Sequence, residues 1–177
     1  MREFQADQMQ AFQELYQRYK SPLYTYFLRL STADTAEELL QEVFIKIVQN
    51  KNSFQFKSTF KTWIWSIANH TMIDHWRSKN HQNNLVTTNL SEEISSDLFE
   101  LSSQEEQFLK KVTKRQLEEC INELPLEQRQ IVLLHTYSEL SHDEISNITS
   151  VSVGAIKSTL FRAKDKLTEC FRRGGHL

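Results

Sequence analysis

The chain is expected to fold as an all-α protein built from two small helical domains, an N-terminal helical bundle and a C-terminal helix-turn-helix unit, joined by an acidic flexible linker. Three glycines and two prolines in 177 residues leave little from which tight hairpin turns are made, and nothing reads as a β-hairpin. Apolar residues recur at helical spacing along most of the sequence. That pattern dissolves after Asn80 and resumes near Glu105. The boundaries that follow are residues 1–80 for the first domain, 81–104 for the linker and 105–177 for the second domain.

The first helix runs through Met9, Phe12, Leu15, Tyr16 and Tyr19. Ser21-Pro22 reads as an N-cap followed by proline at the first helical position, restarting a helix through Leu23, Tyr26, Phe27 and Leu30. Asp34 is expected to open the next helix, with Glu37 as its capping-box partner. Its core stripe is Ala36, Leu39, Leu40, Val43, Phe44 and Ile47, beside an acidic ridge of Glu37, Glu38, Gln41 and Glu42. A polar loop, Lys51–Thr59, is expected to expose Phe54 and Phe56, and Ser58 to cap the helix that follows.

That helix, Phe60–Lys79, organises the chain. Phe60, Trp63, Ile64, Ile67 and Thr71 share one face, the expected core stripe. Trp65, Met72, Ile73 and Trp76 fall on the other side around Asn69. Either the helix is buried all round, or its second face meets something flat and aromatic. Lys57, Lys61, Arg77 and Lys79 near its ends favour a partner bearing phosphates.

The segment from Asn80 to Gln104 has scattered apolar residues, many Ser, Thr and Asn, and no lysine or arginine. It reads as a linker with at most a helical turn near Ser96–Leu101. A helix from Glu105 to Asn122 follows, and Pro125 starts another containing Ile131, Leu133, Leu134 and Tyr137. Ser141 and Glu144 form a capping box for a short helix with Ile145 and Ile148. After the turn at Thr149-Ser150-Val151, Ser152 caps a helix with Ile156, Leu160, Ala163 and Leu167 inward. Short helix, turn and longer helix is the helix-turn-helix layout, whose second helix enters the major groove. Gly154, Ser158, Phe161, Arg162 and Asp165 face outward, flanked by Lys157, Thr159, Lys164 and Lys166.

The overall charge of −2 looks unsuited to DNA until it is divided. Met1–Lys79 and Lys110–Leu177 each carry a small basic excess, while the stretch between is purely acidic. Stand-alone affinity for DNA should be weak, because non-specific binding comes mainly from neutralised phosphates. Something else is expected to supply part of the hold. The longest apolar run is far short of a membrane span, and the N-terminus lacks the apolar core of a signal peptide, so a cytoplasmic chain is expected. Cys120 and Cys170 lack CxxC or His-paired spacing and read as reduced packing thiols. His70, Asp74 and His75 do not converge on a metal, and no Gly-rich phosphate loop or nucleophile elbow is present. No cofactor, small-molecule substrate or catalytic residue is expected.

Three ordered blocks resemble one family. AEELLQEVFIKI at Ala36–Ile47 is similar to A-E-D-L-x-Q-E-x-F, and STFKTWIWSIANHTMIDHWRSK is similar to F-x-x-W-L-x-x-I-A-x-N-x-x-x-D-x-x-R. Leu124–Leu167 is similar to L-P-x-x-x-R…E-I-A…S-x-G-T-V-x-S-R-L-x-R-A-R-x-x-L. All three belong to the extracytoplasmic-function sigma factors of bacterial RNA polymerase. The resemblance implies core RNA polymerase and promoter DNA as partners, and an anti-sigma factor that could hold the chain at the membrane. It implies that Glu38, Gln41, Glu42 and Phe44 face the polymerase clamp helices. It places a base pocket at Phe54, Phe56 and Ser58, and a strand-contacting face for the minus-ten element at Trp65, Asn69, His70, Ile73 and Arg77. Ser152, Gly154, Lys157, Ser158, Thr159, Phe161, Arg162 and Lys164 would read the minus-thirty-five element, and the linker would thread the polymerase cleft.

The chain departs from the family in three places. His70 stands where the family has Asn, Thr159 where it has Arg, and Glu38 where it has Asp. The alternative is a stand-alone helix-turn-helix regulator whose first domain dimerises or senses, and a third reading is a helical adaptor without DNA. The outward tryptophans Trp65 and Trp76 are needed by neither. On the sigma reading, Trp65→Ala should impair opening more than closed-complex binding, and Arg162→Ala should weaken upstream recognition.

Overall fold

Helix ends fall where a side chain can satisfy the first unpaired amides. The computed structural model describes residues 2–6, 8–82 and 115–173, without the side chains of 80–82. Within them run α1 (Arg2–Gln5), α2 (Met9–Leu28), α3 (Ala33–Gln49), a 3-10 turn (Lys51–Ser53) and α4 (Phe60–Gln82). Then come α5 (residues 115–122), α6 (Leu126–Ser138), α7 (His142–Thr149) and α8 (Val153–Arg173). No strand occurs among the described residues. The expected linker, its helical turn at Ser96–Leu101 and the start of the helix from Glu105 lie outside the described residues.

Several expected boundaries are corrected. Pro22 does not restart a helix: α2 runs through it without a break. Thr25 Oγ1 donates to the Ser21 carbonyl at 2.9 Å on the same turn, a side-chain bond beside the position where proline lacks an amide donor. The cap of α3 is Thr32, whose hydroxyl accepts from the Thr35 amide at 3.2 Å, so Asp34 lies inside the helix. Thr59, and not Ser58, caps α4, accepting from the Thr62 amide at 3.0 Å. The capping box of α7 stands as expected: the Glu144 amide donates to Ser141 Oγ at 3.3 Å, and the Ser141 amide donates to Glu144 Oε2 at 2.9 Å.

The first domain packs α2, α3 and α4 around Tyr26, Phe27, Val43, Ile47, Ile64 and Met72, all buried. Phe4, Phe12, Tyr16 and Phe44 form a ring cluster that seats α1 and the start of α2 against α3. The second domain packs α6, α7 and α8 around Leu133, Leu134, Ile145 and Ile156. Ser150 takes a left-handed conformation (φ 59°) and turns the chain between α7 and α8.

Cys120 of α5 and Cys170 of α8 form a disulfide with Cα atoms 5.7 Å apart, correcting the reading of two free thiols. Sequence spacing carries no sign of it, because only the packing of α5 against the far end of α8 brings the two together. Arg173 pairs with Glu123 at 2.7 Å along the same seam.

The two domains pack against each other, α2 on α6 and α4 on α7. Arg29 pairs with Glu118 at 2.7 Å, Gln130 Nε2 donates to Asn69 Oδ1 at 2.8 Å, and Thr62 Oγ1 donates to Glu144 Oε1 at 2.6 Å. Lys61 donates to the Glu139 carbonyl at 2.9 Å.

Candidate nucleic-acid interface

α4 is buried on two sides because it has two neighbours. Ile64, Ala68 and Met72 are sealed, and so are Trp65 and Asn69, at 1% and 0% exposure. Trp65 stands edge-on to Tyr26, with ring centroids 5.4 Å apart. The expected outward placement of Trp65 is therefore corrected. Its face of α4 is covered by α2 on one side and by the second domain on the other. Asn69 donates to the Ile148 carbonyl at 3.5 Å as well as accepting from Gln130, so its amide is committed to the second domain. Ile73 and Trp76 are half-buried, while His70 and Arg77 are exposed, the latter near Asp74 at 3.8 Å.

Trp63, like Trp76, is half-buried and reaches the surface. With Ile67, Ser66 and His70 it lines an open depression of about 300 Å³, bordered by Lys46 and Asn50 of α3 and its C-cap, and by Ser53 of the 3-10 turn. Lys46 pairs with Glu42 at 2.7 Å and donates to Thr71 Oγ1 at 3.0 Å, which holds its ammonium at the rim. His70 Nδ1 donates to the Ser66 carbonyl at 2.7 Å, leaving Nε2 as the ring's free nitrogen. The lining therefore combines one aromatic ring, an aliphatic wall, an imidazole, an amide, two hydroxyls and an ammonium.

The loop expected to form the base pocket lies behind this cavity. Phe54 is buried, not exposed, 5.1 Å from Trp63 and 4.9 Å from Phe56 between ring centroids. Gln5 Nε2 fixes the loop by donating to the carbonyls of Lys51 (2.8 Å) and Phe54 (3.0 Å). Phe56 is exposed as expected, in a left-handed conformation (φ 55°) with the Arg2 guanidinium 5.4 Å above its ring. Ser58 is exposed and bonds only locally, to the Thr59 carbonyl at 3.4 Å. The structure thus brings Phe54 and Phe56 together and leaves Ser58 apart from both. Trp63, Lys46 and Asn50 join the site without having been expected there. The sequence did carry a signal for Trp63, since Ser66 and His70 follow it at three and seven residues along one partly polar face.

On α3, Glu38, Gln41 and Glu42 form an exposed stripe, continued by Ile45 at 55% and Val48 at 45% exposure. The two aliphatic residues likewise went unpredicted. Phe44 is corrected in the opposite sense: it is buried, 4.7 Å from Tyr16 between centroids, and supports the stripe from beneath.

Along α8, Gly154, Lys157, Ser158, Arg162 and Lys164 are exposed, and Phe161 stands clear at 67%. Ser152 caps the helix, its hydroxyl accepting from the Ala155 amide at 3.3 Å. A Cβ added at Gly154 would meet nothing within 4 Å, so the position is open on the outward face of α8. Thr159 is buried against the domain, which removes it from the expected reading surface.

Glu144 ties the helix-turn-helix to α4. Its carboxyl is held below the ordinary value of 4.5, first by the Thr62 hydroxyl and then by the Ser141 amide, with burial opposing. A depressed folded value means the interaction is at full strength above the ordinary pKa and disappears as pH falls through the lowered one. Acidification through that window should loosen the packing of α7 on α4, read as a shift in the Thr62 amide resonance. Glu144→Gln keeps a capping residue and should flatten that pH dependence.

The described residues thus comprise two helical domains, one a helix-turn-helix exposing cations and the other carrying a partly aromatic depression beside α3. The region 15–82 matches the family described as Sigma-70 region 2, and 114–167 matches Sigma-70, region 4. The ECF RNA polymerase sigma factor SigM of Bacillus subtilis is 30% identical over 162 residues, covering 91% of this chain and 95% of that protein. The RNA polymerase sigma factor YlaC of the same organism is 28% identical over 159 residues, 89% and 90% of the two chains. The chain belongs to the ECF sigma factors of RNA polymerase. Its fold matches that of the sigma factor RpoE solved with the anti-sigma factor NepR from Bartonella quintana, with a TM-score of 0.74, 22% identity and 92% and 97% coverage. Both regions in one chain set aside the stand-alone regulator. No helix among the described residues is long and apolar enough to cross a membrane.

Proposed function

We propose that this chain binds core RNA polymerase through residues 1–80, melts and reads the minus-ten element there, and reads the minus-thirty-five element through residues 105–177. The observation that carries this is the cavity beside Trp63, whose lining suits one unpaired base. Stacking on an aromatic ring contributes roughly 1–3 kcal/mol per base, enough to favour a flipped base over a paired one at a weak step. His70, at the rim, takes the place of the family's Asn and alters which base edge is preferred. Arg77, exposed at the end of α4, meets the strand's phosphates. Asn69 joins the strand-contacting set once the second domain moves off α4, whereas Trp65 acts only as scaffold.

Polymerase docking uses Glu38, Gln41 and Glu42 with Ile45 and Val48, an acidic and aliphatic stripe suited to basic helices with apolar ridges. Promoter duplex is held by Lys157, Arg162 and Lys164, with Ser158 and Phe161 against base edges. The chain works in the cytoplasm, and an anti-sigma factor is a further partner, competing for these same surfaces. Run-off transcription with purified core polymerase on a genomic fragment library tests the reading. Transcripts from a discrete set of start sites support it, and an output identical to core polymerase alone rejects it. Arg162→Ala should weaken upstream duplex binding and make the logarithmic salt slope shallower by roughly 0.9 for each phosphate left without its cation, measured by titrating salt against affinity.

A further inference from the structure

The loop behind the Trp63 depression is held by a segment distant in sequence. Gln5 of α1 donates from Nε2 to the Lys51 carbonyl at 2.8 Å and to the Phe54 carbonyl at 3.0 Å, across 46 and 49 residues. A side-chain amide has two N–H donors, and here the loop takes both. Rings and cations repeat the connection. Phe4 is buried beside Phe12 with the Lys51 ammonium 5.5 Å from its ring, and the Arg2 guanidinium lies 5.4 Å over Phe56. Arg2, Phe4 and Gln5, from one short helix, thus each meet the loop. Phe56 needs such support. Its left-handed backbone (φ 55°) is one that a bulky residue adopts only where its surroundings impose it.

The grip reaches the depression through ring contact. Phe54, whose carbonyl Gln5 binds, has its ring 5.1 Å from Trp63 and 6.3 Å from Phe60, where α4 begins. Ser53, one residue earlier, borders the depression itself. α1 lies ahead of residue 15, where the match to Sigma-70 region 2 begins, so this support comes from outside the matched region. We propose that α1 clamps the loop and that Gln5 is a positioning residue for base selection beside Trp63. By fixing the Lys51 and Phe54 carbonyls, it sets where Ser53 and the Trp63 ring stand, and with them which base is accepted. Gln5 itself touches no base. The inference rests on the proposed reading of the depression as the minus-ten base site.

Two variants of the full chain test it. Gln5→Glu keeps the shape but puts a carboxylate against both carbonyls, whereas Gln5→Lys retains a donor of similar reach. Chymotryptic cleavage after Phe56, located by fragment mass, reads the loop without polymerase, since it follows the population in which the loop is released. Gln5→Glu should accelerate that cleavage by about tenfold, and Gln5→Lys should stay near the parental rate. With core polymerase, a promoter fragment recovered from the run-off library is then opened in versions carrying each base in turn at the start-proximal element. Gln5→Glu should shrink the ratio of fastest to slowest opening by about threefold or more, with upstream duplex binding unchanged and Gln5→Lys at the parental ratio. An unchanged cleavage rate overturns the inference. So does a base ratio that Trp63→Ala flattens but Gln5→Glu leaves intact, even where opening falls equally for every base. If cleavage responds while neither Gln5→Glu nor Trp63→Ala alters the ratio, the clamp stands and the base-site reading of the depression fails instead.

Discussion

Replacing Trp65 with alanine is expected to cost about 3–5 kcal/mol of folding stability, the usual penalty for deleting a buried aromatic ring. For a chain of this size that corresponds to a fall in melting temperature of roughly 6–20 °C. The ring is 1% exposed and stands edge-on to Tyr26, itself fully buried, so the surrounding helices cannot collapse into the void without losing that packing. Promoter opening by this variant should fall in proportion to the unfolded fraction and recover at low temperature. That outcome separates a scaffold residue from a stacking one. A thermal melt unchanged from the parent, with opening lost, would restore Trp65 to the strand-contacting surface.

Trp63→Ala should do the converse. Its ring borders the open cavity between α3 and α4, and its loss removes the stacking surface while leaving Ile64, Ala68 and Met72 in place. Open-complex formation should drop by roughly 5- to 150-fold, the equivalent of about 1–3 kcal/mol of stacking. The stability cost should be smaller than that of Trp65→Ala, because Trp63 is already partly in solvent. Closed-complex binding, which the proposal assigns to α8 and the α3 stripe, should be little changed. Filter binding at low temperature and start-site opening at higher temperature measure the two steps separately.

The contrast between these tryptophans shows where the sequence is legible. The start of helix α7 is readable to the residue, because a capping box is a local device whose partners lie three positions apart. Its end runs through Thr149, a residue expected in the turn. The exposed cations of α8 are equally plain from one inward stripe of Ile156 and Ala163. Helix α4 is harder. It carries two apolar stripes, since it packs on α3 and α7 and meets ring residues of α2, and periodicity alone cannot say which stripe meets a neighbour in the same chain. The polar residue between the stripes, Asn69, looks like a solvent-side landmark but is a buried partner of Gln130. Long-range pairings are outside what spacing can express: the Cys120–Cys170 disulfide and the Arg29–Glu118 bridge depend on how the domains fold. Phe54 misleads for a related reason, sitting next to exposed residues in sequence yet turning into a ring cluster. Phe44 lies on the core stripe that periodicity assigns it and departs only from the role the resemblance implied.

Permanganate reactivity of unpaired thymines is the most direct probe of the central claim, that the cavity beside Trp63 captures a base from promoter DNA opened by polymerase. Core polymerase with the parent chain should give reactive thymines at the start-site-proximal element, and the same complex with Trp63→Ala should leave them unreactive while still bound upstream. Full thymine reactivity with Trp63→Ala would contradict the account.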